Sequence, residues 1–175
     1  MKKKIRLPNK IVIASFNKGK LVEIKQLFKN SKVNFIAVSV FTNIAPEENG
    51  KTFTENALIK ARNASKISGL ASIADDSGLC INALEGKPGI FSSRWAGKNN
   101  NFSGAINIIE KKLENEENKT AYFICALALV LNTNQEFTFI GKVHGSLVFP
   151  PKGRRGFGYD PIFLPDKQIL TFGQM

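Results

Sequence analysis

The sequence predicts an α/β domain with a mixed, twisted central sheet flanked by helices. Three observations carry this. The chain opens as strand, polar loop, helix, strand; a second helix with a capping signature leads into another short strand; and two long apolar segments flank a polar turn as an antiparallel hairpin.

The first strand is the β-branched run at 11–14, which passes directly into Ser15-Phe16-Asn17-Lys18-Gly19-Lys20. Leu21, Ile24, Leu27 and Phe28 then recur at helical spacing until Asn30-Ser31 breaks the pattern, and residues 33–38 offer a second strand. After the turn-forming stretch Pro46-Glu47-Glu48-Asn49-Gly50, Thr52 and Glu55 stand at the spacing of a helix capping box. Phe53, Ala57, Ala61, Ala64 and Ile67 give that helix a narrow buried stripe, which Gly69 closes. Residues 71–74 read as a short strand that ends at Asp75-Asp76-Ser77-Gly78, with apolar alternation resuming at 79–84. The glycine- and proline-rich segment 85–101 reads as a long loop, and such loops are often functional. Phe102, Ile106, Ile109 and Leu113 mark a third helix. Residues 122–131 and 136–143, separated by Asn132-Thr133-Asn134-Gln135, form the hairpin, whose first arm is apolar on both faces and therefore central. A basic loop at 150–156 and a last short strand at 161–164 complete the pattern, and one domain spanning 1–175 is expected.

Charge and composition set limits on function. The chain has 25 Lys and Arg against 14 Asp and Glu, a net +11, and five of the positive charges lie in the first ten residues. The body stays basic without them, which favours polyanionic partners as a class: nucleic acid, anionic membrane or free nucleotide. No recognised nucleic-acid motif singles out the first of these. The longest uncharged apolar run, 122–131, is about half of the ~20 residues a membrane-crossing helix needs, and Arg6, Pro8 and Lys10 interrupt any signal core after Lys2-Lys3-Lys4. A cytoplasmic protein is expected. Cys80 and Cys125 lie in apolar segments without CxxC spacing and read as buried thiols, while His144 is the only histidine, so a histidine-based triad or zinc site has little support.

Five stretches can carry chemistry. A strand delivering a polar loop to a helix start gathers unpaired N–H groups and the positive end of the helix dipole, a place that attracts phosphate. Here Ser15 and Asn17 add neutral donors and Lys18 and Lys20 add charge, although the loop is no Walker motif and taken alone is equally a cap with solvated lysines. Asp75 and Asp76 would repel each other if buried together unless something positive stands beside them. Mg²⁺ is the ion that takes carboxylate oxygens, keeps several waters and binds phosphates at once; an isolated Asp-rich turn capped by Ser77 is the simpler alternative. Glu47-Glu48 is a second acid pair, read alone as a solvated turn, and the polar face Asn56, Lys60 and Asn63 is read as solvent-facing. The segment Gly156-Phe157-Gly158-Tyr159-Asp160-Pro161 can press an aromatic ring on a flat ligand, or form a tight turn whose aromatics fold back into the core.

In order along the chain, ASFNKGK at 14–20, FTENALIKA at 53–61, ADDSGL at 74–79, ALEGKPGIFSSRWAG at 83–97 and GFGYDPIF at 156–163 resemble the inosine triphosphate pyrophosphatase family, the non-canonical purine nucleoside triphosphate (dITP, XTP, ITP) pyrophosphatases. The likeness runs through nearly all of 11–164. It implies that family's α/β fold and hydrolysis of a purine triphosphate between its α and β phosphates, with Mg²⁺ as cofactor. By motif position, Ser15, Phe16, Asn17, Lys18, Gly19 and Lys20 resemble the triphosphate loop, and Glu47 and Asp76 resemble metal ligands. Asp76 is also the implied general base, with Asp75 behind it or as a further metal contact. Ser77 resembles a substrate contact, Lys60 and Arg94 phosphate-side cations, and Phe157, Gly158, Tyr159 and Asp160 part of the base pocket. The resemblance implies a homodimer, and from the missing nucleic-acid motif and apolar span no nucleic-acid or membrane partner is expected. Members of that family continue past the match to Leu170-Thr171-Phe172 into a helix with a Lys and a Ser-His-Arg motif, which this sequence lacks. A C-terminally short domain is thus expected, and the alternative expectation is a nucleotide-binding remnant with little turnover.

Overall fold

A computed structural model describes residues 7–97, 99–131 and 135–175. Residues 132–134 of the hairpin turn expected at 132–135 and the lysines at 2–4 lie outside the described residues, as does the side chain of Lys18. The strands are β1 (Lys10–Ile13), β2 (Asn34–Ala37), β3 (Ala71–Ile81), β4 (Thr120–Leu131), β5 (Gln135–Leu147) and β6 (Phe163–Pro165), and the helices are α1 (Lys18–Leu27), α2 (Phe53–Ser68), α3 (Ser92–Trp95) and α4 (Phe102–Lys112). The six strands form one sheet in the order β2-β1-β3-β4-β5-β6. β1 pairs parallel with both β2 and β3, whereas β5 and β6 run antiparallel, so the sheet is mixed as expected. β4 is central, in keeping with its apolar sequence.

The chain folds as two compact units. The first comprises the chain up to Asp76 together with 126–139. Its core is Ile11, Ile13, Ile24, Ala71, Ile73 and Leu129, with Phe28 and Phe35 packed against it. β1 runs between parallel neighbours with α1 and α2 packed against it, in keeping with the burial of Ile11, Val12 and Ile13 alike. α2 lays Phe53, Ala57, Ala61 and Ala64 inward, and the small alanines let it sit close enough for the Ser72 hydroxyl to donate to the Ala61 carbonyl at 2.5 Å. The outer members of the two apolar stripes do not follow: Leu27 is 80% and Ile67 44% exposed. Both stand at or near a helix end, where helical spacing no longer guarantees cover.

The second unit comprises 77–125 and 140–175. Leu79, Ile81, Ile106, Ile109, Leu113, Ile162 and Phe163 form its core. Phe163 stands 4.7 Å from the Phe123 ring and 5.3 Å from that of Phe172. The loop expected at 85–101 contains a 3-10 turn at Gly89–Phe91 followed by α3. Cys80 is buried as expected, but Cys125 is exposed, because an apolar neighbourhood in sequence does not fix which sheet face a strand residue takes.

Candidate active site

The acidic stretch is not a turn. β3 continues unbroken through Asp75, Asp76, Ser77 and Gly78 to Ile81, and both aspartates are buried. A strand can hold them because its backbone bonds do not depend on side-chain polarity, and because each carboxylate meets its own lysine. Asp75 Oδ2 lies 2.6 Å from Lys20 Nζ, and Asp76 Oδ1 lies 3.1 Å from Lys60 Nζ. The expectation that something positive must stand beside the pair is met here by ammonium groups.

Lys60 is held between two acids, Asp76 and Glu48, the latter at 3.0 Å, and its side chain is only 13% exposed. The solvent-facing expectation for Asn56 and Lys60 is therefore corrected. Asn56 is fully buried, and its Oδ1 accepts the Gly50 N–H at 2.9 Å, which ties the loop carrying Glu48 to α2. Gly50 is required there, since a Cβ would collide with that same oxygen. The helix start is fixed by the predicted box. Thr52 Oγ1 accepts the Glu55 N–H at 3.1 Å, while Glu55 Oε2 accepts those of Lys51 and Thr52 at 2.6 and 3.2 Å.

Electrostatics follow from this burial. Burial pushes the Asp76 carboxyl above its ordinary range and outweighs the opposing pull of Lys60, while the charge of Glu48 adds to the rise. Burial works to lower the Lys60 ammonium, but Asp76 and then Glu48 overcome it, and the net direction is upward. Asp76 Oδ2 is buried and accepts no hydrogen bond from any described residue. A buried carboxylate oxygen of this kind suits a hard divalent cation, and Mg²⁺ needs only one or two carboxylates beside waters and substrate phosphates. Among the described residues there is no group of three or more acidic, His or Cys side chains placed to hold a metal by themselves. Glu47 is exposed, and the acid that reaches Lys60 is its neighbour Glu48, which sequence reasoning left as half of a solvated pair.

The loop before α1 folds as a cap. Asn17 Oδ1 accepts the N–H groups of Gly19 and Lys20 at 2.8 and 3.3 Å, and Ser15 Oγ accepts that of Asn17 at 3.2 Å. Phe16 is 42% exposed. Two of the donors an anion would use are thus engaged by Asn17, and Lys20 is turned to Asp75.

In the second unit, Ser77 is partly buried on β3, and Arg94 is exposed on α3 with its guanidinium 4.9 Å from the Phe91 ring centre. The two aromatics of the 156–160 segment part company. Tyr159 folds into the core, where its hydroxyl donates to the Ser92 carbonyl at 2.8 Å and its ring meets Phe102 edge to face, whereas Phe157 stays 43% exposed. Asp160 closes the segment on itself: its Oδ2 accepts the Phe157 N–H at 2.7 Å. Gly156, at φ +70°, leaves room for that carboxylate where a Cβ would collide with it.

Comparison with known proteins agrees with the motif series. The profile of the Ham1 family matches residues 11–175. The chain is 45% identical to the dITP/XTP pyrophosphatase of Caulobacter vibrioides over 168 residues, covering 95% of this chain and 86% of that protein. It is 39% identical to the enzyme of the same name from Gluconobacter oxydans, over 100% of this chain and 84% of the relative. Among solved structures, a HAM1 protein from Coxiella burnetii superposes with a TM-score of 0.87 at 40% identity, over 95% of this chain and 86% of that one. With the family profile matching residues 11–175 and relatives about 40% identical along nearly the whole length, the chain belongs to the Ham1 family.

Proposed function

We propose that this protein hydrolyses the non-canonical purine nucleoside triphosphates dITP, XTP and ITP to the monophosphate and pyrophosphate, clearing them from the nucleotide pool. Relatives that carry the name dITP/XTP pyrophosphatase along nearly the whole chain support the reaction class. The observation that carries it onto this chain's own residues is the buried set Glu48, Lys60 and Asp76 beside Lys20 and Asp75. Buried acids interleaved with lysines are what a site for a polyanion and its counter-cation requires.

In this reading Asp76 takes a proton from the water that attacks the α-phosphorus, a role suited to a carboxylate whose proton affinity burial has raised. The bond from that phosphorus to the α,β-bridging oxygen breaks, and the oxygen leaves with pyrophosphate. Lys60 and Lys20 turn from their acids to the phosphates and stabilise charge on the leaving group. Mg²⁺, held through Asp76 with Glu47 or Glu48 nearby, would neutralise phosphate charge and polarise what it binds. Arg94 as a further phosphate-side cation and Phe157 and Gly158 as contacts to the base are supported by the motif likeness. A homodimer is part of the same reading and rests on that likeness alone.

The test is pyrophosphate release from dITP, XTP, ITP and ATP with excess Mg²⁺. Release from the first three in preference to ATP is expected. Folded protein that frees no pyrophosphate from any of them would overturn the proposal, and release of orthophosphate instead would move the cleavage to another bond.

A further inference from the structure

Lys60 stands where a cation is wanted. Its ammonium lies 3.0 Å from Glu48 Oε1 and 3.1 Å from Asp76 Oδ1, largely out of water. The other oxygen of Asp76, Oδ2, is buried and receives no hydrogen bond from a described residue. A metal taking Oδ2 therefore meets a positive charge across a single carboxylate. With Lys20 and Asp75 balancing each other, Glu48, Lys60 and Asp76 together carry one net negative charge. A divalent ion entering alone overcompensates it in a buried setting, which is unfavourable. A triphosphate entering with the ion brings negative charge to which both the metal and the ammonium can turn.

The lysine can also leave without being lost. Its four-carbon stem is flexible and its charge compact. Glu48 is a tether independent of Asp76, because the loop that bears it is fastened through the Gly50 N–H to the fully buried Asn56.

We propose that Lys60 holds the cation position beside Asp76 until nucleotide arrives, so that the site loads a divalent metal together with a triphosphate and not by itself. The inference rests on the pyrophosphatase reading for the identity of the nucleotide, but its test needs no turnover. Mn²⁺, an ion that also favours carboxylate oxygens, is titrated alone into the full chain and its free concentration followed by EPR. The K60M variant removes the ammonium at similar length, and K60R keeps the charge. K60M is expected to bind Mn²⁺ at least about fivefold more tightly than the parent chain, a coupling of ordinary size. K60R is expected to bind as weakly as the parent. Unchanged or weaker binding by K60M, tight binding by K60R, or no Mn²⁺ bound by any of the three overturns the proposal. Circular dichroism checks each variant, and K60Q replaces K60M if the methionine variant is unfolded. Pyrophosphate release from dITP by the parent is read separately. Its absence sinks the enzymatic reading, while the titration alone decides the part played by Lys60.

Discussion

Lys20 Nζ and Asp75 Oδ2 are 2.6 Å apart, with side chains only 17% and 9% exposed. One belongs to the first turn of α1 and the other to the middle of β3. The pair thus joins the polar loop after β1 to the strand that bears the second aspartate. It gives Asp75 a compensating charge, so that β3 can pass through both acids without bending away.

Removing one member of a buried ion pair strands the other. Lys20→Met is therefore expected to cost on the order of 3 kcal/mol of folding free energy, more than an exposed lysine would. Urea denaturation of parent and variant measures it. Asp75→Asn should cost less, since it removes the carboxylate charge and leaves the lysine free to reach water. Equal, small costs for both would show that the pair does not support the strand.

Asp76→Asn separates chemistry from folding. If Asp76 is the base, pyrophosphate release from dITP falls on the order of a thousandfold. The fold does not need the charge: burial already raises the proton affinity of this carboxyl, so a neutral amide relieves a cost while Lys60 keeps Glu48. Thermal unfolding is expected within about 4 °C of the parent, the shift that roughly 1 kcal/mol produces in a domain of this size. A variant that keeps its rate removes Asp76 from the chemistry.

Tyr159→Phe tests the anchor of the 156–160 segment. Loss of its hydroxyl leaves the Ser92 carbonyl without that donor, and a cost of about 1–3 kcal/mol is expected. Burial pushes the Tyr159 phenol up to about 12 from its ordinary value of 10.0. A folded-state value raised above the unfolded one means stability that is fully present below pH 10 and lost as pH rises through 12. The parent should therefore lose stability over that interval more steeply than the phenylalanine variant. Parallel denaturation curves at pH 9 to 12 that stay a fixed distance apart would contradict this.

What was legible in the sequence was local or periodic. The Thr52–Glu55 box depends on residues three apart and came out as expected. So did the strand, loop, helix and strand of the opening unit, each marked by its own hydrophobic period. The passage of β3 through Asp75 and Asp76 was not legible, because the lysines that make it possible come from α1 and α2, far off in the chain. Asn56 and Lys60 were misread for a related reason. A polar helical face looks the same whether it meets water or a buried acid, and only the position of Glu48 decides. Of the two aromatics in the 156–160 segment, nothing local distinguishes the one that turns inward. Tyr159 is chosen by the reach of its hydroxyl to Ser92 and the edge of Phe102.

Asp160 supplies the last prediction. Its carboxylate accepts the Phe157 N–H at 2.7 Å and so fixes the turn that leaves the Phe157 ring outside. Burial raises its proton affinity above the ordinary value of 3.8, and the hydrogen bond from Phe157 only partly opposes that. The group therefore favours the folded state when protonated, and this contribution is present in full below pH 3.8 and drains away as pH rises through the folded value. Asp160→Asn keeps an oxygen to accept the same N–H but has no proton to lose. The free-energy difference between parent and variant, taken from urea curves at steps from pH 3.5 to 7, should therefore shift in favour of the asparagine chain with rising pH and level off once the carboxyl is ionised. A difference that stays flat would mean that water reaches this carboxylate freely. A shift of the opposite sign would mean that the Phe157 hydrogen bond, and not burial, governs it.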